Sequence, residues 1–117
     1  MMELFYKKHM ERGYKIERNN FKDPWSLEEF NDYSMESEKS MSYIHSKLIE
    51  VIGYLMSNVI LDKIHIHNIA VDKKYQNNKV AFELMKYLIS ESRLLQKNKI
   101  CLEVDKSNMF ALKLYIL

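Results

Sequence analysis

The stretch NIAVDKKYQNNKVAFELM, residues 68–85, has the pattern of a strand, a loop and a helix. An apolar run ends at Val71, a polar loop follows, and apolar side chains then recur at helical spacing from Lys79 onward. The first turn of such a helix leaves backbone N–H groups without acceptors, an arrangement that often binds phosphate. Phosphate-binding loops usually contain glycine, because glycine lets the backbone approach the ligand closely. This loop, Gln76 to Lys79, has none, so two alternatives stay open at this point: a loop that still holds a phosphate, and the remains of one that did.

The segments around this stretch predict an α/β fold with a mixed sheet. Lys63–Val71 and Lys99–Asp105 have the composition of buried strands, and the helix that starts at Lys79 lies between them. A strand–helix–strand unit implies a parallel pair with a right-handed crossover. Upstream, Ser42–Leu48 and Glu50–Leu61 form two extended segments that could pair as a hairpin.

Two helices are predicted in the N-terminal part of the chain. His9–Asn19 has helical spacing with a weak apolar stripe. Ser26 and Glu29 form a capping box, which predicts a second helix from Leu27 to about Tyr33.

Composition narrows the class of protein. The chain has 117 residues, enough for one domain with one core, and a net charge of +2, which gives no argument for a nucleic-acid partner. No apolar run approaches the roughly 20 residues that span a membrane. The single cysteine, Cys101, excludes an internal disulfide and suits a reducing compartment. We therefore expect a cytoplasmic protein that contacts neither membrane nor nucleic acid.

Two residues near the C-terminus are candidates for acid–base chemistry. Glu103 lies within a predicted buried strand, and burial of a carboxyl group raises its pKa and makes it a better proton acceptor. The alternative is a salt-bridged carboxylate at the rim of the sheet. Tyr115 could donate a proton to a thiolate leaving group, since both groups have high pKa values. The alternative is a core tyrosine with its hydroxyl at the surface.

Three other residue types that often carry chemistry are interpreted structurally. His65 and His67 share a strand face, but no third ligand is evident, so we predict no metal site. Cys101 is interpreted as a small buried hydrophobe and Trp25 as a packing residue.

Three blocks, together with the strand EVIGYL, resemble the RimI-type N-terminal acetyltransferases of the GNAT superfamily. The similarity covers nearly the whole chain, in order and with compatible spacing, and the PWS block favours RimI-like enzymes over other GNAT members. The blocks are IERNNFKDPWS (16–26), NIAVDKKYQNNKVAFELMKYLI (68–89) and LEVDKSNMFALKLY (102–115), with EVIGYL at 50–55.

The resemblance implies a GNAT acyl-CoA N-acyltransferase fold and a site for acetyl-CoA as co-substrate. The sheet would open between the strand that ends at Val71 and the strand that starts at Lys99. Acetyl-CoA would lie in that opening, with its pyrophosphate at the start of the helix. The cofactor-binding residues implied are Ile69, Ala70, Val71, Gln76, Asn77, Asn78, Lys79, Val80, Ala81 and Asn108.

The resemblance also implies the catalytic roles and the substrate. Glu103 would be the general base and Tyr115 the general acid. The substrate would be the N-terminal amine of a protein, in particular an alanine-initiated protein of the small ribosomal subunit.

The sequence departs from the family pattern in two places. Lys79 replaces the middle glycine of the loop, and the chain stops at Leu117, where the family continues into two more strands. We therefore expect a single GNAT domain, 1–117, incomplete at its C-terminus, with an exposed strand edge through which it could form a homodimer. Two alternatives stay open at this point: a non-catalytic remnant that binds CoA or a protein, and a structural module without a ligand.

Overall fold

A computed structural model describes residues 1–32, 40–77, 79–97 and 99–102. In these ranges five strands form one sheet, in which sequence order equals spatial order. The strands are β1 (Met2–Leu4), β2 (Tyr43–Lys47), β3 (Glu50–Ile60), β4 (Lys63–Val71) and β5 (Lys99–Leu102), and the helices are α1 (Met10–Asn20), α2 (Leu27–Asp32) and α3 (Val80–Leu94).

The sheet is mixed, as the sequence predicts. Strands β1 to β4 pair antiparallel, whereas β4 and β5 pair parallel, from Lys63 opposite Lys99 to Ile66 opposite Leu102. Helix α3 connects these two parallel strands, which confirms the predicted strand–helix–strand unit. The predicted hairpin of β2 and β3 is also confirmed. Its turn contains no glycine, and Leu48 there adopts a left-handed backbone with φ of 59°.

A β-bulge in β4 changes which side chains reach each face of the sheet. Met56 of β3 lies opposite Asn68 and Ser57 lies opposite Ile66, so His67 is an additional residue in β4. Side chains alternate between faces along a strand, and one additional residue reverses that alternation. The second half of β4 therefore directs Asn68 to the face that carried the odd-numbered residues before the bulge.

Two apolar clusters pack on opposite faces of the sheet. The cluster under α3 contains β4 residues from both sides of the bulge, and the cluster under α1 and α2 contains Ala70. Members of the first cluster include Ile64, Ile66, Ile69, Val71, Val80, Ala81, Leu84 and Leu88, and the second contains Phe5, Ile16, Phe30, Ile44, Val51, Tyr54, Met56 and Ala70.

The N-terminal helices begin close to where the sequence predicts. The backbone N–H of Ser26 donates to Glu29 Oε1 at 3.1 Å, and the N–H of Glu29 donates to Ser26 Oγ at 3.1 Å, which confirms the capping box of α2. The apolar stripe of α1 is weak because the inner face of the helix includes a charged residue, Glu17, which is only 1% exposed. No helix in the described ranges has both the length and the apolar character needed to cross a membrane.

We expect Leu84→Ala to lower the free energy of unfolding by about 2–5 kcal/mol, because Leu84 is fully buried between α3 and the sheet. Phe82→Ala, on the same helix, is the matched control, since Phe82 is 49% exposed. Urea denaturation of both variants measures the difference. Equal losses would contradict the packing of α3 described above.

Candidate functional site

The loop between β4 and α3 begins with a locally capped turn. The Asp72 side chain accepts a hydrogen bond from the Lys74 N–H at 3.0 Å, and the Asp72 carbonyl accepts one from the Tyr75 N–H at 2.8 Å. These bonds form a short 3-10 turn over Lys73–Tyr75. An aspartate directly after the strand therefore turns the chain where the prediction placed a loop.

Helix α1 holds the start of this loop through a charge contact. The Arg12 guanidinium pairs with Asp72, and it also contacts Glu50 Oε1 at 3.0 Å. Burial acts to raise the pKa of Asp72, but the Lys74 N–H and the Arg12 guanidinium outweigh it and hold this pKa below its ordinary value. The Arg12–Asp72 pair thus fixes the loop to α1, a contact that sequence reasoning missed because the partners are 60 residues apart.

Two amides close around the last carbonyl of β4. The Val71 carbonyl accepts hydrogen bonds from Asn20 Nδ2 at 3.1 Å and from Gln76 Nε2 at 3.2 Å, and Gln76 Nε2 also donates to Asn20 Oδ1 at 2.8 Å. The side chain of Gln76, predicted to bind cofactor, is thus engaged in shaping the loop. Any contribution of Gln76 to ligand binding in this conformation comes from its backbone.

The loop reaches α3 through left-handed backbone. Asn77 has φ of 70° and Lys79, the N-cap of α3, has φ of 64° and ψ of 14°. Asparagine tolerates this region, whereas for lysine it costs on the order of 1 kcal/mol or more. Lys79 therefore takes a conformation that favours glycine, and its side chain makes no capping hydrogen bond.

The first turn of α3 offers backbone N–H groups and buries its side chains. Val80 is 5% and Ala81 is 2% exposed, so both pack into the core below the helix. The first four N–H groups of a helix have no acceptor within it. The Glu83 N–H bonds back to the Lys79 carbonyl at 2.9 Å. Any contact of Val80 and Ala81 with an anion in this conformation is a backbone contact.

Two residues in the second half of β4 direct their backbone N–H groups away from β3. The Asp72 N–H donates to the Ile52 carbonyl of β3 at 2.8 Å. Because backbone groups alternate along a strand, the N–H groups of Ile69 and Val71 point toward the β5 side, and that of Ala70 points toward β3. The structure thus brings these three predicted cofactor-binding residues and the helix start to one end of the sheet.

Four predicted site residues lie outside the described residues: Glu103, Tyr115, Asn108 and Asn78. Their roles stay predictions, as does the opening of the sheet beyond Leu102.

The histidines on β4 stack on each other. The rings of His65 and His67 lie 6.5 Å apart, and His67 Nε2 lies 2.7 Å from Asn58 Oδ1. Within the part of the chain that the structure describes, no group of three potential metal ligands is present.

We expect Lys79→Gly to raise the free energy of unfolding by about 1 kcal/mol, because relief of left-handed strain exceeds the added entropy of the unfolded chain. Lys86→Gly is the control. Lys86 is an exposed residue in the interior of α3, where glycine costs about 1 kcal/mol. Urea denaturation that showed both variants destabilised equally would contradict the left-handed conformation of Lys79.

We expect Asp72→Asn to lower the free energy of unfolding at pH 7 and to have a smaller effect in acid. A carboxyl group with a lowered folded pKa stabilises the fold above its unfolded pKa, and that stability is lost as pH falls through the folded value. The difference between Asp72→Asn and the unsubstituted chain should therefore shrink below pH 3.8, the ordinary value. Exposed Asp62 provides the control substitution, and a difference that does not change with pH would refute the Arg12–Asp72 pairing.

Comparison with known proteins identifies the family. A family model described as Acetyltransferase (GNAT) family matches residues 9–116. The [ribosomal protein bS18]-alanine N-acetyltransferase of Escherichia coli K12 is 30% identical over 103 residues, which cover 88% of this chain and 68% of that protein.

Solved structures share the fold. The ribosomal-protein-S18-alanine N-acetyltransferase from Escherichia coli matches with a TM-score of 0.90 and 26% identity, covering 99% of this chain and 74% of that chain. AAC(6')-Iy, solved with the bisubstrate analogue CoA-S-monomethyl-acetylneamine, matches with a TM-score of 0.77 and 12% identity, covering 99% and 86%. The predicted family resemblance and the mixed α/β fold are thus confirmed. The chain belongs to the GNAT family, whose members are acetyl-CoA-dependent N-acetyltransferases.

Proposed function

We propose that this protein transfers the acetyl group of acetyl-CoA to the N-terminal amine of a protein, and that its substrate is an alanine-initiated small-subunit ribosomal protein of the bS18 type. The observation that carries the proposal is the 30% identity with the bS18-alanine N-acetyltransferase of Escherichia coli over 88% of this chain. The agreement in fold with the S18-alanine enzyme supports the same substrate class.

The geometry at the end of β4 fits a CoA pyrophosphate. The helix macrodipole and the N–H groups at the start of α3 favour an anion, and Lys79 adds a positive charge at the same place. The left-handed Asn77 and Lys79 turn the loop in the way that glycine would, so a glycine-free sequence retains the shape. In this proposal the backbone of Gln76 to Ala81 holds the pyrophosphate.

The rest of the cofactor would extend along the second half of β4. By the family resemblance, the backbone of Ile69, Ala70 and Val71 would hold the pantetheine and orient the thioester. Acetyl-CoA supplies an activated acetyl group, so the protein needs no covalent intermediate, and Cys101 has no catalytic role.

The proposed chemistry uses one base, one acid and backbone donors. Glu103 accepts a proton from the substrate ammonium, directly or through a water, which gives a nucleophilic amine. N–H groups at the end of β4 stabilise the negative charge that develops on the carbonyl oxygen. Tyr115 donates a proton to the departing thiolate, and Asn108 lies at a family position close to the cofactor.

We expect calorimetry to show micromolar binding of acetyl-CoA and an acetyl-transfer assay to show turnover on an alanine-initiated peptide. Lys79→Gly tests the loop, because it removes the charge and the strain together. We expect this variant to bind acetyl-CoA more weakly than the unsubstituted chain, because charge-assisted contacts with phosphate are strong. Absence of binding by both proteins would refute the proposal.

Substitution of the base separates catalysis from binding. We expect Glu103→Gln to lower kcat by about 10²–10⁴-fold and to leave the Kd for acetyl-CoA unchanged. Glu28→Gln, at an exposed position of α2, is the control and should retain full activity. Binding of acetyl-CoA by the unsubstituted chain without any transfer would instead identify a non-catalytic CoA-binding protein.

A further inference from the structure

Glu17 places a carboxyl group in the protein interior, between α1 and the sheet. The residue is 1% exposed. Its Oε1 accepts a hydrogen bond from Asn68 Nδ2 at 2.6 Å and another from the Tyr54 hydroxyl, and its Oε2 accepts one from the Trp25 backbone N–H at 2.9 Å. Three donors from three separate segments therefore converge on one side chain.

Burial of this carboxyl group costs free energy that an apolar residue would not cost. A buried carboxyl group is tolerated when hydrogen bonds satisfy it, and even then a well-packed apolar group is often as stable. Burial and the neighbouring Glu17 hold the pKa of Tyr54 well above its usual range, so the phenol stays a donor. What the polar cluster provides beyond stability is a fixed position for each segment that it binds.

Glu17 connects the loop that follows α1 to the strand that carries part of the candidate site. Asn68 is the first residue of β4 beyond the bulge at His67, directly before the predicted cofactor-binding residues. Trp25 belongs to the loop 21–26, which follows α1, and the Trp25 carbonyl accepts a hydrogen bond from the Tyr14 hydroxyl at 2.9 Å. We call this segment the Trp25 loop.

The Trp25 loop is connected to the second half of β4 through two residues of α1. It starts directly after Asn20, whose side chain is bonded to the Val71 carbonyl at the end of that strand. It is held near its other end through Glu17 to Asn68. Through α1, the loop is thus connected to the strand at Val71 by Asn20 and at Asn68 by Glu17. One connection lies at each end of the strand segment that the proposed function assigns to the thioester.

We propose that Glu17 is a positioning residue for acetyl transfer, which holds the Trp25 loop at a fixed distance from the second half of β4 so that the acceptor peptide meets the thioester in a reactive orientation. This proposal rests on the proposed function. Transfer requires the amine nitrogen to approach the carbonyl carbon to about 3–3.5 Å, and a misplacement of about 1 Å can cost 10²-fold in rate. A shift of the loop therefore lowers the rate of transfer far more than it lowers the affinity for acetyl-CoA.

Three variants separate positioning from stability. Glu17→Ala removes the bonds to Trp25 and to Asn68 and leaves the Asn20–Val71 bond in place. Asn68→Ala removes only the bond between Glu17 and β4, which keeps the test usable if Glu17→Ala does not fold. Tyr54→Phe is the matched control. It removes both hydrogen bonds of the Tyr54 hydroxyl, to Glu17 and from Asn68, and keeps the ring packed against Phe5 and Phe30. It leaves Glu17 bonded to Trp25 and Asn68.

The first measurement is amide hydrogen exchange at Trp25 in the ligand-free protein. We expect exchange at least tenfold faster in Glu17→Ala than in Tyr54→Phe, after correction for global unfolding. The second is acetyl transfer to an alanine-initiated peptide, expressed per folded molecule. We expect Asn68→Ala and Glu17→Ala to lower kcat/KM for the peptide by at least tenfold and to change the Kd for acetyl-CoA by less than threefold, with Tyr54→Phe within twofold of the unsubstituted protein.

The outcomes distinguish this proposal from the proposed function. Equal kcat/KM per folded molecule in all variants would overturn the positioning role of Glu17. Transfer by the unsubstituted protein would in that case still support the proposed function. Trp25 exchange that does not respond to Glu17→Ala would also overturn it. Absence of transfer by the unsubstituted protein would overturn the proposed function itself, and the positioning role of Glu17 with it, whatever the exchange data showed.

Discussion

The additional residue in β4 is the constraint on which the candidate site depends. Without the bulge at His67, the alternation of β4 would direct Asn68 toward α3 and Ile69 toward α1. The bulge reverses this, so Ile69 and Val71 continue the core under α3, and Asn68 faces Glu17 on the opposite side of the sheet. The bulge thus lets β4 bury apolar side chains under α3 and place a hydrogen-bond donor beside the buried carboxyl group of Glu17.

Helix α1 acts as the support for both parts of the site. Its Arg12 and Asn20 hold the loop that leads to α3, while Glu17 holds the Trp25 loop. These residues lie on the inner side of the helix, where an ordinary amphipathic helix would place apolar groups. The apolar stripe of α1 is therefore weak because the inner face of this helix makes polar contacts with the site.

Much of the fold could be predicted from hydrophobic periodicity, and much of the polar site could not. The run Lys63–Val71, the spacing in α3 and the Ser26–Glu29 pair each depend on local patterns, and the structure confirms all three. The bulge leaves only a weak signal in the sequence. A pattern in which polar and apolar residues alternate and then give way to an apolar run is equally typical of a strand buried on both faces.

The polar contacts of the site join residues that are far apart in sequence. Glu17 and Asn68 are separated by 51 positions, and Arg12 and Asp72 by 60. No spacing rule connects such pairs, so the sequence could indicate that Gln76 belongs to the loop but not that its side chain points back to Asn20. A family pattern assigns a position to the site without stating which of its atoms face the ligand.

The loop before α3 shows how a glycine-free sequence can keep a glycine-like turn. Left-handed backbone costs on the order of 1 kcal/mol or more at Lys79, whereas Asn77 tolerates it. Two hydrogen bonds stabilise the turn, each by roughly 1 kcal/mol net. One joins Asp72 to the Lys74 N–H, and the other joins Gln76 to Asn20. Strained backbone persists where surrounding contacts determine its conformation independently, and here those contacts come from α1 and from the end of β4. The turn is thus stabilised by contacts within the chain that replace the conformational freedom of glycine.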